Sequence, residues 1–126
     1  MLAIPEFIGR IQQQAGLGSF ERAEAATRAT LTALGEYLSG GEGQDLAARL
    51  PQGLAELLHR QSPDGGFIFS LNDFLQRVGE EEGVEIGAAE AHARAVVHVL
   101  EEAVSGGEMQ DVRRQFPSEF DPLFGG

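Results

Sequence analysis

A duplicated eight-residue motif is the feature that most constrains the fold of this chain. The stretch SGGEGQDL at residues 39–46 returns as SGGEMQDV at residues 105–112. Both copies run on to a hydrophobic residue followed by proline, Leu50-Pro51 in the first and Phe116-Pro117 in the second. A motif that repeats with its proline in step indicates a duplicated structural unit.

The motif has the chemistry of a junction between helices. Ser39, with Glu42 ahead of the apolar Leu46, forms a capping-box pattern in which hydroxyl and carboxylate each accept from a free helix amide. Two glycines in the first turn disfavour a helix by about 1 kcal/mol each relative to alanine, which predicts a tight corner. Amides at a helix start can also hold an anion, but Glu42 and Asp45 would repel one, so we favour a structural role. The predicted structural motif comprises Ser39, Gly40, Gly41, Glu42, Asp45, Ser105, Gly106, Gly107, Glu108 and Asp111.

Apolar residues at helical spacing repeat with the motif. At an offset of 67, Ile4, Phe7, Ile8 and Ile11 correspond to Leu71, Phe74, Leu75 and Val78. At an offset of 66, Thr27, Leu31, Leu34 and Leu38 correspond to Ala93, Val97, Leu100 and Val104, and Leu54, Leu57 and Leu58 correspond to Phe120, Leu123 and Phe124. This periodicity predicts an all-α fold in which two tandem four-helix repeats pack into one helical bundle with pseudo-twofold symmetry. We predict a single domain over 1–126, with repeat one at 4–58, a linker at 59–70 and repeat two at 71–124.

The linker interrupts the helical pattern. Ser62-Pro63-Asp64-Gly65-Gly66 is a turn signal. Phe67-Ile68-Phe69 follows as either a short extended segment or an apolar plug over the core, and we favour the plug. Ser70 with Asp73 then restarts a helix in the capping-box manner.

Composition narrows the classes of function. The 126 residues include no cysteine and no lysine, which excludes disulfides, cysteine metal sites and lysine Schiff-base chemistry. The formal charge is −11. Residues 64–126 carry thirteen acids against four arginines, whereas residues 1–63 carry seven against five. An acidic surface argues against nucleic acid and anionic membrane as partners. With no signal-peptide pattern or transmembrane run, we expect a cytoplasmic protein.

The motif and its surroundings resemble a known family. An alanine-rich helix with Ala26-Thr27-Arg28-Ala29, then Leu-Ser-Gly-Gly-Glu, Asp-Leu and Leu-Pro, is similar to the bacterial domain-of-unknown-function family 2267. The resemblance spans nearly the whole chain in both repeats, with Val104 and Phe116 standing in place of leucine in the second. It implies an all-α, two-repeat fold and brings no catalytic residues with it.

The sequence offers little for catalysis or metal binding. His92 and His98 lie six residues apart, which does not place them on one helix face as metal ligands require. His98 and Glu102 have the spacing of a surface pair on one helix. No phosphate loop, nucleophile elbow or cofactor fingerprint is present. We therefore predict no catalytic residue, no metal site and no cofactor.

Arg28 and Arg94 form a separate candidate site, because they correspond in the two repeats. Each follows an inward-facing position, which predicts partial burial at the edge of the apolar stripe. Each arginine is expected to pair with the glutamate one turn earlier and with an acid of the motif helix. The alternative is an anion site built from both arginines.

An acidic helical body without reactive groups favours a non-catalytic protein-interaction module. The alternative is a small-ligand or metal-binding protein with an apolar pocket between the repeats, lined by Phe67, Phe69 and Phe74. An enzyme is the least favoured class. Neither the partner nor the oligomeric state follows from the sequence.

Overall fold

The helices of this protein follow from its apolar periodicity. The computed structural model describes residues 3–38, 46, 48, 50, 52–58, 70–104 and 106–124. In these ranges all regular structure is helical, which confirms the predicted all-α class. In chain order the elements are α1 (Ile4–Ala15), α2 (Phe20–Tyr37), α3 (Gln52–Leu58), α4 (Leu71–Glu82), α5 (Ile86–Ala103), α6 (Gly106–Arg114) and a 3₁₀ helix (Ser118–Phe124).

Polar caps and glycines set the helix ends. The hydroxyls of Ser19 and Ser70 accept hydrogen bonds from amides in the first turns of α2 and α4, at 3.2 and 3.1 Å. Such caps typically contribute about 1 kcal/mol. Gly16 and Gly83 end α1 and α4 in the left-handed conformation, with φ of 65° and 80°. Glycine adopts this conformation without the steric penalty that a Cβ would bring.

The two long helices, α2 and α5, form the centre of the bundle. They contact each other, and each also packs against both α1 and α4. Helix α3 packs on α2, and the 3₁₀ helix packs on α5. Each long helix is therefore covered by a short helix from its own half of the sequence and by one from the other half. The twofold relation between the halves remains a prediction from the sequence offsets.

One continuous hydrophobic cluster fills the bundle. The predicted inward positions of α1, α2, α4 and α5 line it, although Ile4 and Leu71 at the helix starts are only partly buried. Leu46 and Leu50, expected on the third helix of repeat one, are buried at 0% and 5% exposure. Most residues of the helix expected there lie outside the described residues, as do residues 59–69 of the linker with the proposed Phe67-Ile68-Phe69 plug.

The last element differs from its counterpart. Leu54, Leu57 and Leu58 are buried from an α-helix, but Phe120, Leu123 and Phe124 are buried from a 3₁₀ helix with Pro122 inside it. Proline has no amide hydrogen and clashes with the preceding turn of an α-helix, which explains the change. Rings pack closely here: Phe116 stacks on Tyr37 with centroids 4.2 Å apart, and Phe120 meets Phe74 edge-on at 6.0 Å.

Candidate functional site

Two large apolar side chains break the otherwise polar surface. Phe20 and Ile86 are each 41% exposed and are the exposed large hydrophobic residues of the described ranges. Each is the first residue of a long helix, α2 or α5. They lie 66 residues apart, the offset that relates the core positions of these two helices. The same position thus exposes a large hydrophobe in both halves of the chain.

A surface groove lies beside Ile86, where α4 ends and α5 begins. We call it the Ile86 groove; its volume is about 570 Å³. It is lined by Leu75, Gln76, Gly79, Glu80, Gly83, Val84, Glu85 and Ile86. Gly79 and Gly83 contribute no side chains, so the floor consists of backbone and the apolar groups of Leu75, Val84 and Ile86. Glu80 and Glu85 are exposed and provide the charged groups.

A second groove lies at the corresponding end of α1. We call it the Gly16 groove; its volume is about 670 Å³. It is lined by Glu6, Gly9, Arg10, Gln12, Gln13, Gly16 and Leu17. Gly16 and Leu17 correspond to Gly83 and Val84 at the offset of 67, whereas Gln13 stands where the Ile86 groove has Glu80. One acid and one arginine line it, so its formal charge is balanced.

A third groove brings one of the predicted arginines into contact with apolar surface. This Arg94 groove has a volume of about 570 Å³ and lies between α1, α5 and the 3₁₀ helix. It is lined by Gln14, Ala91, Arg94, Ala95, His98, Glu101, Leu123 and Phe124. Arg94 and His98 are four residues apart, so they lie on the same face of α5.

The most buried titratable pair joins α4 to α5. Nδ1 of His92 and Oε2 of Glu82 share a hydrogen bond of 2.5 Å, and the two side chains are only 12% and 4% exposed. The other carboxylate oxygen of Glu82 is buried without a partner among the described residues. Burial raises the pKa of Glu82, although His92 and Arg22 act to lower it. A general base must reach the proton that it abstracts, and these side chains present little surface to a substrate.

Comparison with known families identifies the family that the motif indicated. The model for uncharacterized conserved proteins, DUF2267, matches residues 5–123. The chain belongs to the DUF2267 family. No curated protein matches the sequence. Membership confirms the predicted resemblance and leaves the activity open, because the family itself is uncharacterised.

Most of the repeated motif of this DUF2267 protein lies outside the described residues. This applies to Ser39, Gly40, Gly41, Glu42, Asp45 and Ser105, and nothing is described of the Glu108 side chain. In the second copy, α6 begins at Gly106, and Gly107 is exposed. The capping box therefore stays a prediction.

The expected burial of Arg28 and Arg94 is wrong. Both arginines are exposed, and neither forms an ion pair with a residue that the structure describes. Asp111, one of the two motif acids that could pair with Arg94, instead accepts a hydrogen bond of 3.1 Å from Arg114 in its own helix. A long side chain that follows an inward-facing residue of a helix can therefore still turn outward to solvent.

The structure differs from two further expectations. Glu102 lies 3.9 Å from Arg10 of α1, rather than forming the expected pair with His98. Phe74, one of three residues assigned to a pocket between the repeats, is fully buried in the aromatic part of the core, and Phe67 and Phe69 are outside the described residues. Neither a cluster of three or more metal-binding side chains nor a helix long and apolar enough to span a membrane occurs in the described ranges.

Sequence reasoning missed Ile86 and the Glu82–His92 pair in this DUF2267 protein. The offsets carried a usable signal for both. Ala15 and Ala26 correspond to Glu82 and His92, so the second half has a carboxylate and an imidazole where the first half has two alanines. Phe20 and Ile86 correspond directly, and both precede the inward-facing positions of their helices.

Proposed function

We propose that this DUF2267 protein is a non-catalytic protein-interaction module. The observation that carries the proposal is the exposure of Phe20 and Ile86 at the same position of two corresponding helices. A single exposed hydrophobe is ordinary on a protein surface. Exposure of 41% at both members of a matched pair is harder to ascribe to chance, and it supports two contact points for a partner.

The surroundings of Phe20 and Ile86 support binding of a partner rather than catalysis. Large apolar side chains next to polar groups are typical anchors in protein interfaces. The one close pairing of a carboxylate with an imidazole in the described ranges, Glu82 with His92, is nearly shielded from solvent. We place the protein in the cytoplasm, and its acidic charge opposes binding to nucleic acid.

Site-specific photocrosslinking in the native host tests this function. A photoreactive residue would replace Phe20, Ile86 or, as the control, the exposed Glu24 of α2. We expect discrete crosslinked species containing a second protein from positions 20 and 86, and none from position 24. Crosslinking from none of the positions, or equally from all three, would contradict the proposal.

Small-ligand binding is a second candidate function, favoured by the Arg94 groove. Arg94 is a cation without an ion pair among the described residues, and it lines the groove with the acidic Glu101 and with the largely buried Ala95, Leu123 and Phe124. That combination suits a small organic anion with an apolar part. A thermal-shift titration with aromatic and short aliphatic carboxylates tests it. Stabilisation should be lost in Arg94→Gln and retained in Arg28→Gln, which removes the corresponding arginine outside the groove.

A further inference from the structure

We propose that the Ile86 groove binds a basic amphipathic segment of a partner protein, with an apolar side chain on the groove floor and arginine or lysine beside it. This inference rests on the proposed interaction function and specifies where the partner binds and what its chemistry is. The occupant is a segment of another protein, rather than a second copy of this chain.

The floor of the groove provides the apolar half of the recognition. Ile86 is 41% exposed and Val84 is partly buried, so both have surface left to cover. Gly83, held at φ 80°, faces open space, since a Cβ placed there would meet no atom within 4 Å. The chain between α4 and α5 is therefore open to the close approach of a partner, and an inserted aliphatic side chain would remove apolar surface from water.

The charges beside the floor select the partner. Glu80 and Glu85 are exposed and make no ion pair with any residue in the described ranges. Arg77, the cation of α4, contacts Glu36 and Glu81 at 2.6 and 3.2 Å, and it attracts Glu80 without forming an ion pair with it. Both glutamates therefore remain available to lysine or arginine. A negative surface attracts a basic partner and repels an acidic one.

The Gly16 groove shows that the acidic character is specific to the second half. It has a turn glycine at the corresponding position, Gly16, but its charged lining residues are Arg10 and Glu6. A basic segment would meet one arginine there and would gain little from charge. The corresponding turn of the first half thus has balanced charge, in contrast to the two acids beside the Ile86 groove.

Binding of a defined peptide to the full chain tests the proposal. The probe is a fluorescently labelled helical peptide of leucine, alanine and arginine, with leucines on one face and arginines beside them. A second peptide has glutamate in place of every arginine. Fluorescence anisotropy should show binding of the basic peptide only, with an affinity that weakens as salt is added because the charges are exposed.

Three variants assign the site. Ile86→Ser should weaken peptide binding by about tenfold or more, since it removes the central apolar anchor. Glu80→Gln combined with Glu85→Gln should weaken binding and flatten its salt dependence. Glu24→Gln combined with Glu90→Gln removes two exposed acids outside the groove and should leave the affinity unchanged. Circular dichroism of each variant checks that the fold is retained, as expected for exposed positions.

Several outcomes of these experiments would contradict the proposal. No binding of the basic peptide, or an equal loss in the Glu80/Glu85 variant and the Glu24/Glu90 variant, overturns the proposal. It is also overturned if sedimentation shows that the protein self-associates and that Ile86→Ser abolishes the association, because the occupant is then a second copy. If the peptide fails while photocrosslinking at position 86 still captures another protein, the basic chemistry is wrong and the interaction module stands. If both fail, the proposed function falls as well.

Discussion

Arg77 of α4 holds Glu36 of α2 through two hydrogen bonds, of 2.6 and 2.8 Å. The Glu36 side chain is only 4% exposed, whereas that of Arg77 is 30% exposed. A two-point contact between a guanidinium and a carboxylate fixes both distance and orientation. The pair therefore links the first helix of the second half to the end of the first long helix.

Loss of Arg77 should destabilise the fold substantially. Arg77→Ala leaves the buried carboxylate of Glu36 without its partner, and such a loss typically costs about 3 kcal/mol. Urea unfolding followed by circular dichroism measures the change in the free energy of unfolding. Arg10 and Glu102 occupy the corresponding positions at offsets of 67 and 66, but they are 3.9 Å apart and 47% and 41% exposed. Arg10→Ala should therefore cost less than about 1 kcal/mol. Equal losses in the two variants would show that burial of Glu36 does not matter.

Glu82 should make stability depend on pH. Burial raises its pKa in the folded protein above the ordinary value of 4.5. Folding therefore favours the protonated form of Glu82. The resulting contribution to the free energy of unfolding is fully present below pH 4.5 and is lost as the pH rises through the raised pKa of the folded protein. Glu82→Gln stays neutral, so its stability relative to the natural protein should increase from pH 4.5 upward. Urea unfolding at several pH values measures this difference. The exposed Glu80→Gln serves as the control for charge, and a parallel pH profile in both variants would contradict the prediction.

The repeat pattern predicted the helices and their buried faces because both depend on local spacing. Thr27, Leu31 and Leu34 are buried as their periodicity requires. The 3₁₀ helix was not predicted, although Pro122 is visible in the sequence, because the apolar spacing of Phe120 and Leu123 suits either kind of helix.

The contacts between side chains were far harder to predict. Arg77 and Glu36 are 41 residues apart, and only the packing of α4 on α2 brings them together. Arg28 and Arg94 were chosen because they repeat, yet both are exposed. A helical pattern identifies the side that faces the core, but it does not define where long charged side chains turn.

The charge of the chain predicts that it does not bind nucleic acid. With nine arginines, no lysine and twenty acids, the formal charge of −11 opposes the phosphate contacts that release counterions from nucleic acid. Titration of the protein into labelled DNA and RNA at physiological salt should leave the fluorescence anisotropy unchanged. Complex formation at micromolar protein that weakens with added salt would refute this expectation.

Gly35 should tolerate alanine poorly, although it lies inside α2. A Cβ at this position would collide with the carbonyl oxygen of Leu58 and lie 2.7 Å from its carbonyl carbon. Both atoms belong to the backbone at the end of α3, so the two helices would have to separate. We expect Gly35→Ala to cost about 1 to 3 kcal/mol, as is usual for overpacking. Gly9, inside α1, is the control because a Cβ there meets nothing within 4 Å. Gly9→Ala should stabilise the protein by up to about 1 kcal/mol through helix propensity alone. Thermal unfolding of both variants measures the contrast, and a gain in stability for Gly35→Ala would show that α2 and α3 do not pack at this distance.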